Sequence, residues 1–189
     1  STGTAAETII KGTVTIDVDK VTLDGLTITG GIVATGATNA SIKNSIVKPK
    51  TPTTLLAIDA ASTPFAITNT SFAVTGTTVT SGITIAAGAT VTVTDSTFMV
   101  DADGTDIIAS GKLTVTDSTF TGSSGTGIEV VAAGTVTVNG ATFDTLTTAL
   151  KVTGAGGTLT ATKNTIKFSF GNLFFCLLRI LDLANKMNI

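Results

Sequence analysis

Residues 112–120 read KLTVTDSTF, and close copies of this stretch recur along the chain at a nearly constant interval. The copies read ATVTVTDSTF at 89–98, TVTVNGATF at 135–143, TLTATKNTI at 158–166 and, more weakly, FAITNTSF at 65–72. They end on Phe72, Phe98, Phe120, Phe143 and Ile166, so the steps between copies are 26, 22, 23 and 23 residues. A period in this range is typical of stacked-repeat folds, in which each repeat covers the apolar side of the next.

Apolar and hydroxyl-bearing residues alternate within each copy, which is typical of a β-strand with one buried face. In the copy at 112–120, Leu113 and Val115 would face inward, Thr114 and Thr116 would face outward, and the turn residue Asp117 follows. A second apolar run lies between consecutive copies, at 83–85, 107–109, 128–130 and 150–152. Residues 1–167 are therefore predicted to form an all-β parallel β-helix of about seven rungs, roughly 35 Å long, with Phe and Val inside.

The VTDSTF copies and VTLDGLTI at residues 21–28 resemble the right-handed parallel β-helix of the pectin-lyase-like superfamily, over residues 9–168. The resemblance implies the right-handed form of the solenoid. It favours the non-catalytic surface or adhesin-type members, although polysaccharide lyases and hydrolases share the fold. Because one fold hosts unrelated activities, the function must be argued from individual residues.

The composition narrows the function further. The 189 residues suffice for one domain with a substantial core. His, Trp and Tyr are absent, Cys176 and Arg179 are each the only residue of their type, and the net charge is −2. So few charged residues, with a slight excess of acidic ones, provide no basic surface for binding nucleic acid. The abundance of Thr, Gly, Val and Ala resembles secreted β-rods, and a chain that starts at Ser1 agrees with a removed leading segment. We therefore expect an extracellular or cell-surface location.

Two stretches interrupt or precede the repeats. Strand-like alternation begins at once in residues 8–17, so we expect residues 1–7, or a preceding segment, to fold over the first rung, or else this end to dock on another subunit. Residues 48–52, KPKTP, contain two prolines and are predicted to form a protruding loop, because proline disrupts a hydrogen-bonded sheet. Such a loop is either a plain insertion or a place for binding.

Residues 101–106, DADGTD, are the best candidate for a metal site. Asp101, Asp103 and Asp106 surround a glycine, and carboxylate oxygens are the ligands that Ca²⁺ prefers. The stretch lacks the distal Glu and the flanking helices of an EF-hand. The alternative is a solvated acidic corner in which Asp and Gly serve the turn. Calcium is the only cofactor that the sequence raises.

From residue 168 the composition changes to Leu and Phe, and residues 173–186 are predicted to form a helix with Asn172 as its N-cap. Its polar positions lie on one narrow stripe, at Arg179, Asp182 and Lys186. The segment is too short and too charged to span a membrane. We expect residues 168–189 to seal the end of the core; contact with another subunit or a membrane surface is the alternative. The apolar residues available for such a contact are Phe174, Phe175, Leu177, Leu178 and Leu181.

Catalysis is the function that the resemblance raises first. The superfamily's lyases combine acidic calcium ligands with Arg or Lys, and its hydrolases use paired Asp with nearby His, Arg and Lys. Here His is absent and Arg179 lies in the predicted cap. Asp95 and Asp117 would stand about 5 Å apart on successive rungs, like the carboxylates of a retaining glycosidase, but Asp is also the default residue of such turns. We therefore expect no enzymatic activity.

Outward threonines raise ice binding as the alternative function. Thr-Val-Thr on successive rungs would present two parallel rows of threonine about 7 Å apart along the strand. Within each row, threonines on neighbouring rungs would lie ~4.8 Å apart, and such a grid can order water. The threonines concerned are Thr92, Thr94, Thr114, Thr116, Thr137, Thr160 and Thr162. Ala66 and Asn139 interrupt the rows. Carbohydrate binding by stacking lacks Trp and Tyr, which leaves only polar contact through loops.

The remaining function is structural: a non-enzymatic extracellular β-solenoid that serves as a surface spacer, an adhesin stalk or a self-assembling filament subunit. Regular outward threonine, low charge and an apolar C-terminal segment agree with it. End-to-end self-association would be a heterologous contact between two complementary ends. The sequence favours this function over ice binding, and ice binding over polysaccharide cleavage.

Overall fold

A computed structural model describes residues 8–49, 54–73, 80–99, 103–122 and 124–167. In these residues the chain forms 22 short β-strands in three sheets, and every strand pairing is parallel. One turn of the chain, which we call a rung, passes through one strand of each sheet. Two of the sheets contain seven strands each, so six steps of one rung separate the first strand of such a sheet from its last. The predicted parallel β-solenoid is confirmed.

Sheet A has eight strands. Along the rod they are β1 (Ile9–Ile10), β4 (Thr27–Ile28), β7 (Ile46–Val47), β10 (Ser71–Ala73), β13 (Thr97–Met99), β16 (Thr119–Thr121), β19 (Thr142–Asp144) and β22 (Thr165–Lys167).

Sheet B contains the second apolar run of each rung. Its strands are β2 (Val14–Ile16), β5 (Ile32–Ala34), β8 (Thr54–Ile58), β11 (Ser81–Ile85), β14 (Thr105–Ala109), β17 (Thr126–Val130) and β20 (Thr148–Val152). Sheet C contains the Thr-Val-Thr alternation. Its strands are β3 (Thr22–Asp24), β6 (Ala40–Lys43), β9 (Phe65–Thr68), β12 (Thr90–Thr94), β15 (Lys112–Thr116), β18 (Thr135–Asn139) and β21 (Thr158–Thr162).

The core is a continuous column of apolar side chains between the three sheets. Phe72, Phe98, Phe120 and Phe143 pair in register along sheet A, and each is fully buried. Their rings stack with centroids 5.1, 4.8 and 4.9 Å apart and nearly parallel planes. The ring spacing equals the rise from one rung to the next, so the stack follows directly from the in-register repeat.

The rungs are shorter at the N-terminal end than further along. In sheet A the pairs Ile10–Ile28 and Ile28–Val47 lie 18 and 19 residues apart, whereas Val47–Phe72 and Phe72–Phe98 lie 25 and 26 apart. The strands of sheet B lengthen correspondingly, from three residues in β2 and β5 to five from β8 onward.

The last rung leaves part of the core open to solvent within the described residues. Val152 and Ile166 are 39% and 40% exposed, whereas their partners in the preceding rung, Val130 and Phe143, are 0% exposed. The predicted C-terminal helix, including Phe174, Phe175, Leu177, Leu178 and Leu181, lies outside the described residues, as do residues 1–7 and 50–53.

Candidate functional site

The outward side of sheet C carries the predicted threonine rows, and we call this surface the hydroxyl face. Backbone pairing places Thr114 between Thr92 and Thr137, and Thr160 continues the row. The adjacent row consists of Thr94, Thr116, Asn139 and Thr162. All of these side chains are exposed or half-buried. The structure therefore brings every threonine of the predicted grid onto one surface.

The inward residues of the same strands determine which residues make up the hydroxyl face. Leu113 pairs with Val91 and Val136, and all three are buried in the core. Successive side chains of a strand point to opposite faces of the sheet. The residues before and after each buried valine or leucine therefore point outward. A slip of one residue would bury the threonines and expose the core, and the register is therefore strongly specified.

A third row on this face was missed by the sequence analysis. Thr90, Lys112, Thr135 and Thr158 pair in register beside the first row. The same alternation, extended by two residues toward the start of each strand, would have revealed it. Lys112 breaks the row with a charged side chain, so the unbroken part of the grid is narrower than three rows.

A row of amides and carboxylates borders the hydroxyl face at the turn into sheet A. Asn44 Nδ2 donates to Asp24 Oδ1, and Asn69 Nδ2 donates to Asn44 Oδ1, each at 2.9 Å. Asn44, Asn69, Asp95 and Asp117 all have a positive φ, between 45° and 49°. Asn and Asp tolerate this left-handed conformation better than other residues with a side chain, which explains why the turn uses them.

The residue after each of these turns carries a buried hydroxyl, and those of Ser45, Ser96 and Ser118 accept an N–H from the neighbouring rung. Ser118 Oγ accepts from the Ser96 N–H at 3.2 Å and donates to the Thr116 carbonyl at 2.9 Å. Ser96 Oγ does the same for Thr70 N–H and the Thr94 carbonyl. Ser45, Thr70, Ser96 and Ser118 are each at most 2% exposed. This hydroxyl row satisfies backbone groups that the sharp turn would otherwise leave without partners inside the rod.

Asp95 and Asp117 occupy the same turn of neighbouring rungs, as their spacing predicts, because the preceding residues Thr94 and Thr116 pair in register. Both carboxylates are exposed. A shallow groove of about 240 Å³ at this turn is lined by Asp95, Asn69 and Asn44 together with Ser and Thr hydroxyls. Ile46 also lines the groove, so its surface combines polar side chains with an apolar part.

Three carboxylates near the N-terminal end are held in their ionised form by hydrogen bonds. The Ser62 hydroxyl and then the Gly36 N–H lower the pKa of Asp59, and Ser62 Oγ stands 2.7 Å from its Oδ1. Hydrogen bonds from Thr38 lower the pKa of Asp19 in the same way, and the Asn44 side chain lowers the pKa of Asp24. Asp59 and Asp19 accept backbone N–H groups at corners between sheets B and C, so these carboxylates stabilise the turns.

The acidic loop places its carboxylates in unlike environments. Asp103 is exposed at a turn with φ 68°, and its N–H donates to Ser124 Oγ at 3.1 Å. Asp106 lies in β14 and is only 1% exposed, opposite Gly82 and Gly127 in the neighbouring strands. Asp101 lies outside the described residues. Calcium binding by Asp101, Asp103 and Asp106 stays a prediction.

The outward side of sheet B differs from the hydroxyl face. A groove of about 340 Å³ runs along it, with Val33, Ala57, Thr84 and Ile108 on its floor. Val33 is 39% exposed. Further along the same face, Lys151 Nζ forms an ion pair with Glu129 Oε1 at 3.0 Å. This side of the rod is therefore more apolar than the hydroxyl face, and its groove can accept a small apolar group.

In the described part of the chain, no helix has both the length and the apolar character that a membrane crossing requires. Within the same ranges, no three His, Cys, Asp or Glu side chains gather closely enough to hold a metal ion.

Comparison with known proteins agrees with the geometry. A search of curated proteins found no match. The family profile described as "Right handed beta helix region" matches residues 9–143, which is 135 of the 189 residues. The match begins at β1 and ends in β19, so it includes the Phe stack and most of the hydroxyl face. The chain belongs to the right-handed β-helix family.

Proposed function

We propose that this protein is a non-enzymatic structural solenoid that acts as a stiff spacer, exposed outside the cell or at its surface. The observation that carries the proposal is the in-register connection of each rung to the next on all three sides. Backbone pairing, the Phe stack and the buried hydroxyl row all cross the same rung-to-rung boundaries, for instance the one between Phe98 and Phe120. Separating two rungs at that boundary would break all three kinds of contact together.

The outer surface supports the same role. The hydroxyl face presents many small neutral groups and few charges, which limits nonspecific association with charged polymers. The described ion pairs are Lys43–Asp24, Lys151–Glu129 and Lys167–Asp144, and they lie along the rod at separate places. Such a surface suits a spacer that must stay soluble and inert along its length.

Two measurements test the proposal, one of the force that unfolds the rod and one of polysaccharide cleavage. The chain, tethered at both ends, is pulled in single-molecule force measurements, and we expect cooperative rupture of the central rungs at a force well above that of the end rungs. In parallel, the protein is incubated with neutral and uronate-containing polysaccharides, with and without Ca²⁺. Turnover that disappears in both Asp95→Asn and Asp117→Asn would identify an enzyme and would refute the spacer role.

Ice binding is the second candidate, favoured by the pairing of Thr92, Thr114, Thr137 and Thr160 in one row. Neighbouring threonines within a row are ~4.8 Å apart, which is the distance between rungs, and the two rows are about 6.8 Å apart along the strand. The hydroxyls therefore repeat in two directions. On this hypothesis the hydroxyl face orders water at a growing ice surface.

Thermal hysteresis and inhibition of ice recrystallisation test this candidate. We expect Thr114→Lys to abolish any activity, because one long charged side chain disrupts the centre of the grid. Thr119→Lys is the matched control, since Thr119 is equally half-buried but lies on the outward side of sheet A. Equal loss in both variants, or no activity in the unaltered protein, would exclude ice binding.

A further inference from the structure

Asn139 and Gly140 form the only Asn-Gly pair in the sequence. Strand β18 ends at Asn139, on the hydroxyl face, where the paired strands carry Thr116 and Thr162. Gly140 has a φ of 69°, and a side chain there would overlap Asp117 Oδ1, so this turn requires glycine. Glycine after asparagine leaves the backbone nitrogen unhindered, which is the arrangement most prone to deamidation. Both residues are half-buried, so solvent reaches the pair.

Deamidation of this pair needs no enzyme or cofactor. The Gly140 nitrogen loses its proton to a solvent base and forms a bond to Asn139 Cγ. The Cγ–Nδ2 bond breaks, and ammonia leaves after it takes a proton back from solvent. Water then opens the resulting succinimide ring. Cleavage between the Gly140 nitrogen and Asn139 Cγ gives aspartate, whereas cleavage between that nitrogen and the Asn139 backbone carbonyl carbon gives isoaspartate, in which the main chain runs through Cγ.

The last described rung binds both groups that would react. The Gly140 N–H donates to the Thr162 carbonyl at 3.1 Å, and Thr162 Oγ1 donates to Asn139 Oδ1 at 3.1 Å. Strand β21 therefore holds the attacking nitrogen and the side-chain amide that it would attack. Since the nitrogen must give up its hydrogen bond to reach Cγ, the reaction requires that β21 first separates from β18.

Asn164 adds two hydrogen bonds to the same contact. Its Oδ1 accepts from the Ala141 N–H at 2.8 Å, and its Nδ2 donates to the Val138 carbonyl at 3.1 Å. At the equivalent position of earlier rungs, Ser96 and Ser118 each accept one N–H from the preceding rung. Asn164 makes the corresponding link with a longer side chain. We call the four hydrogen bonds that residues 162 and 164 make to residues 138–141 the amide clamp.

The strand that carries the clamp is the one most readily opened in its sheet. Among the described residues β21 is the end strand of sheet C and pairs with β18 only. Its residues are exposed apart from the half-buried Leu159. An end repeat is supported on one side only, so it opens at a lower free energy than a central one.

We propose that Asn139–Gly140 is a deamidation site controlled by the last described rung. The amide clamp keeps the pair unreacted while β21 is paired, and each separation of β21 allows the reaction. Both products place a carboxylate at position 139, one rung from Asp117. Isoaspartate also adds an atom to the main chain, so the evenly spaced hydrogen bonds between β18 and β21 no longer match. A transient opening thereby becomes a lasting one. The inference is independent of the proposed spacer role.

Mass spectrometry of the peptide that contains residues 139 and 140 measures the reaction in the full chain. The protein is kept in mildly alkaline buffer, folded or in guanidinium chloride, and the amounts of aspartate and isoaspartate are followed with time. We expect the folded wild type to react at least about tenfold more slowly than the unfolded chain, because the reaction waits for an opening. Asn139→Thr, which introduces the residue found in the neighbouring rungs, should remove the modification from this peptide.

Two matched variants separate the clamp from general destabilisation. Asn164→Ala removes two of the four clamp bonds and should speed deamidation of the folded protein at least about threefold. Ser96→Ala removes an acceptor of a backbone N–H at the equivalent turn three rungs away, and it should leave the rate unchanged.

Should Asn164→Ala fail to fold, Thr162→Ala replaces it, because Thr162 is exposed and its hydroxyl makes one clamp bond. Faster deamidation in the clamp variant alone supports the proposal. Equal rates in the folded and unfolded wild type, an unchanged rate in the clamp variant, or equal acceleration in Ser96→Ala would overturn it.

Discussion

Phe120 shows how a single residue contributes to the rod. Its ring lies between those of Phe98 and Phe143, with centroids 4.8 and 4.9 Å away, and it is fully buried. Its burial depends on the rungs on both sides, so it links three rungs rather than two.

Phe120→Ala should lower the free energy of unfolding by about 3–5 kcal/mol, because it removes a ring and leaves a cavity that the stacked neighbours cannot fill. Phe120→Leu should cost less, since it retains most of the apolar volume. Denaturant titration followed by circular dichroism measures both. Thr119→Ala is the neighbouring control, half-buried on the outside, and should change stability by no more than about 0.5 kcal/mol. A loss as small as the control's in Phe120→Ala would contradict the buried stack.

Asp59 provides a prediction on pH. The Ser62 hydroxyl and the Gly36 N–H lower its pKa, so the carboxylate form is preferred more strongly in the folded state than in the unfolded one. The resulting stability is complete above the unfolded-state pKa and is lost as the pH falls through the lower, folded-state pKa.

We therefore expect the stability difference between the wild type and Asp59→Asn to shrink when the pH is lowered from about 7 to about 3. A carboxyl titration by NMR should give Asp59 a midpoint below the ordinary aspartate range, and Ser62→Ala should raise it. A midpoint at or above that range in the wild type would show that these hydrogen bonds do not form.

At the scale of elements, the repeat itself made the strands predictable. The apolar runs at 83–85, 107–109, 128–130 and 150–152 all lie in sheet B, and their pairing follows the predicted alignment. Period-two alternation assigns inward and outward residues without further information. It could not reveal the role of Ser96 and Ser118, because a buried serine next to a turn looks like part of the turn.

The burial of Asp106 could not be predicted for a related reason. In the sequence it belongs to an acidic, glycine-containing loop, yet it is buried in β14. The opposing positions in the neighbouring strands are both glycines, Gly82 and Gly127. Only the register between rungs shows this arrangement, and no local pattern encodes it.

Ser118→Ala tests the row of buried hydroxyls formed by Ser45, Thr70, Ser96 and Ser118. The change removes the acceptor of the Ser96 N–H, and a buried donor without a partner costs about 1–3 kcal/mol. We expect that loss in denaturant titration, together with faster exchange of the Ser96 amide. Thr116→Ala is the control two residues earlier, at the end of β15, because its side chain lies on the hydroxyl face. Equal effects of the two changes would mean that the buried hydroxyl contributes nothing specific.

At the scale of the molecule, stability should vary along the rod. In a stacked repeat each rung interacts with its neighbours only, so a central rung is supported on two sides and an end rung on one. Native-state hydrogen exchange should show the strongest protection in β12 and β15 and weaker protection toward β1, where Ile9 is 54% exposed. Uniform protection from end to end would instead indicate that the whole rod opens in one step.

The change in rung length from 18 residues to 22 or more gives the rod a taper. The strands of sheets B and C lengthen in the same direction, from three residues in β2 and β3 to five in β8 and β12, so the first described rungs have a smaller cross-section than the later ones. The described rod, six steps or ~29 Å long, therefore has a direction: its two halves present cross-sections of different size to whatever lies beyond them.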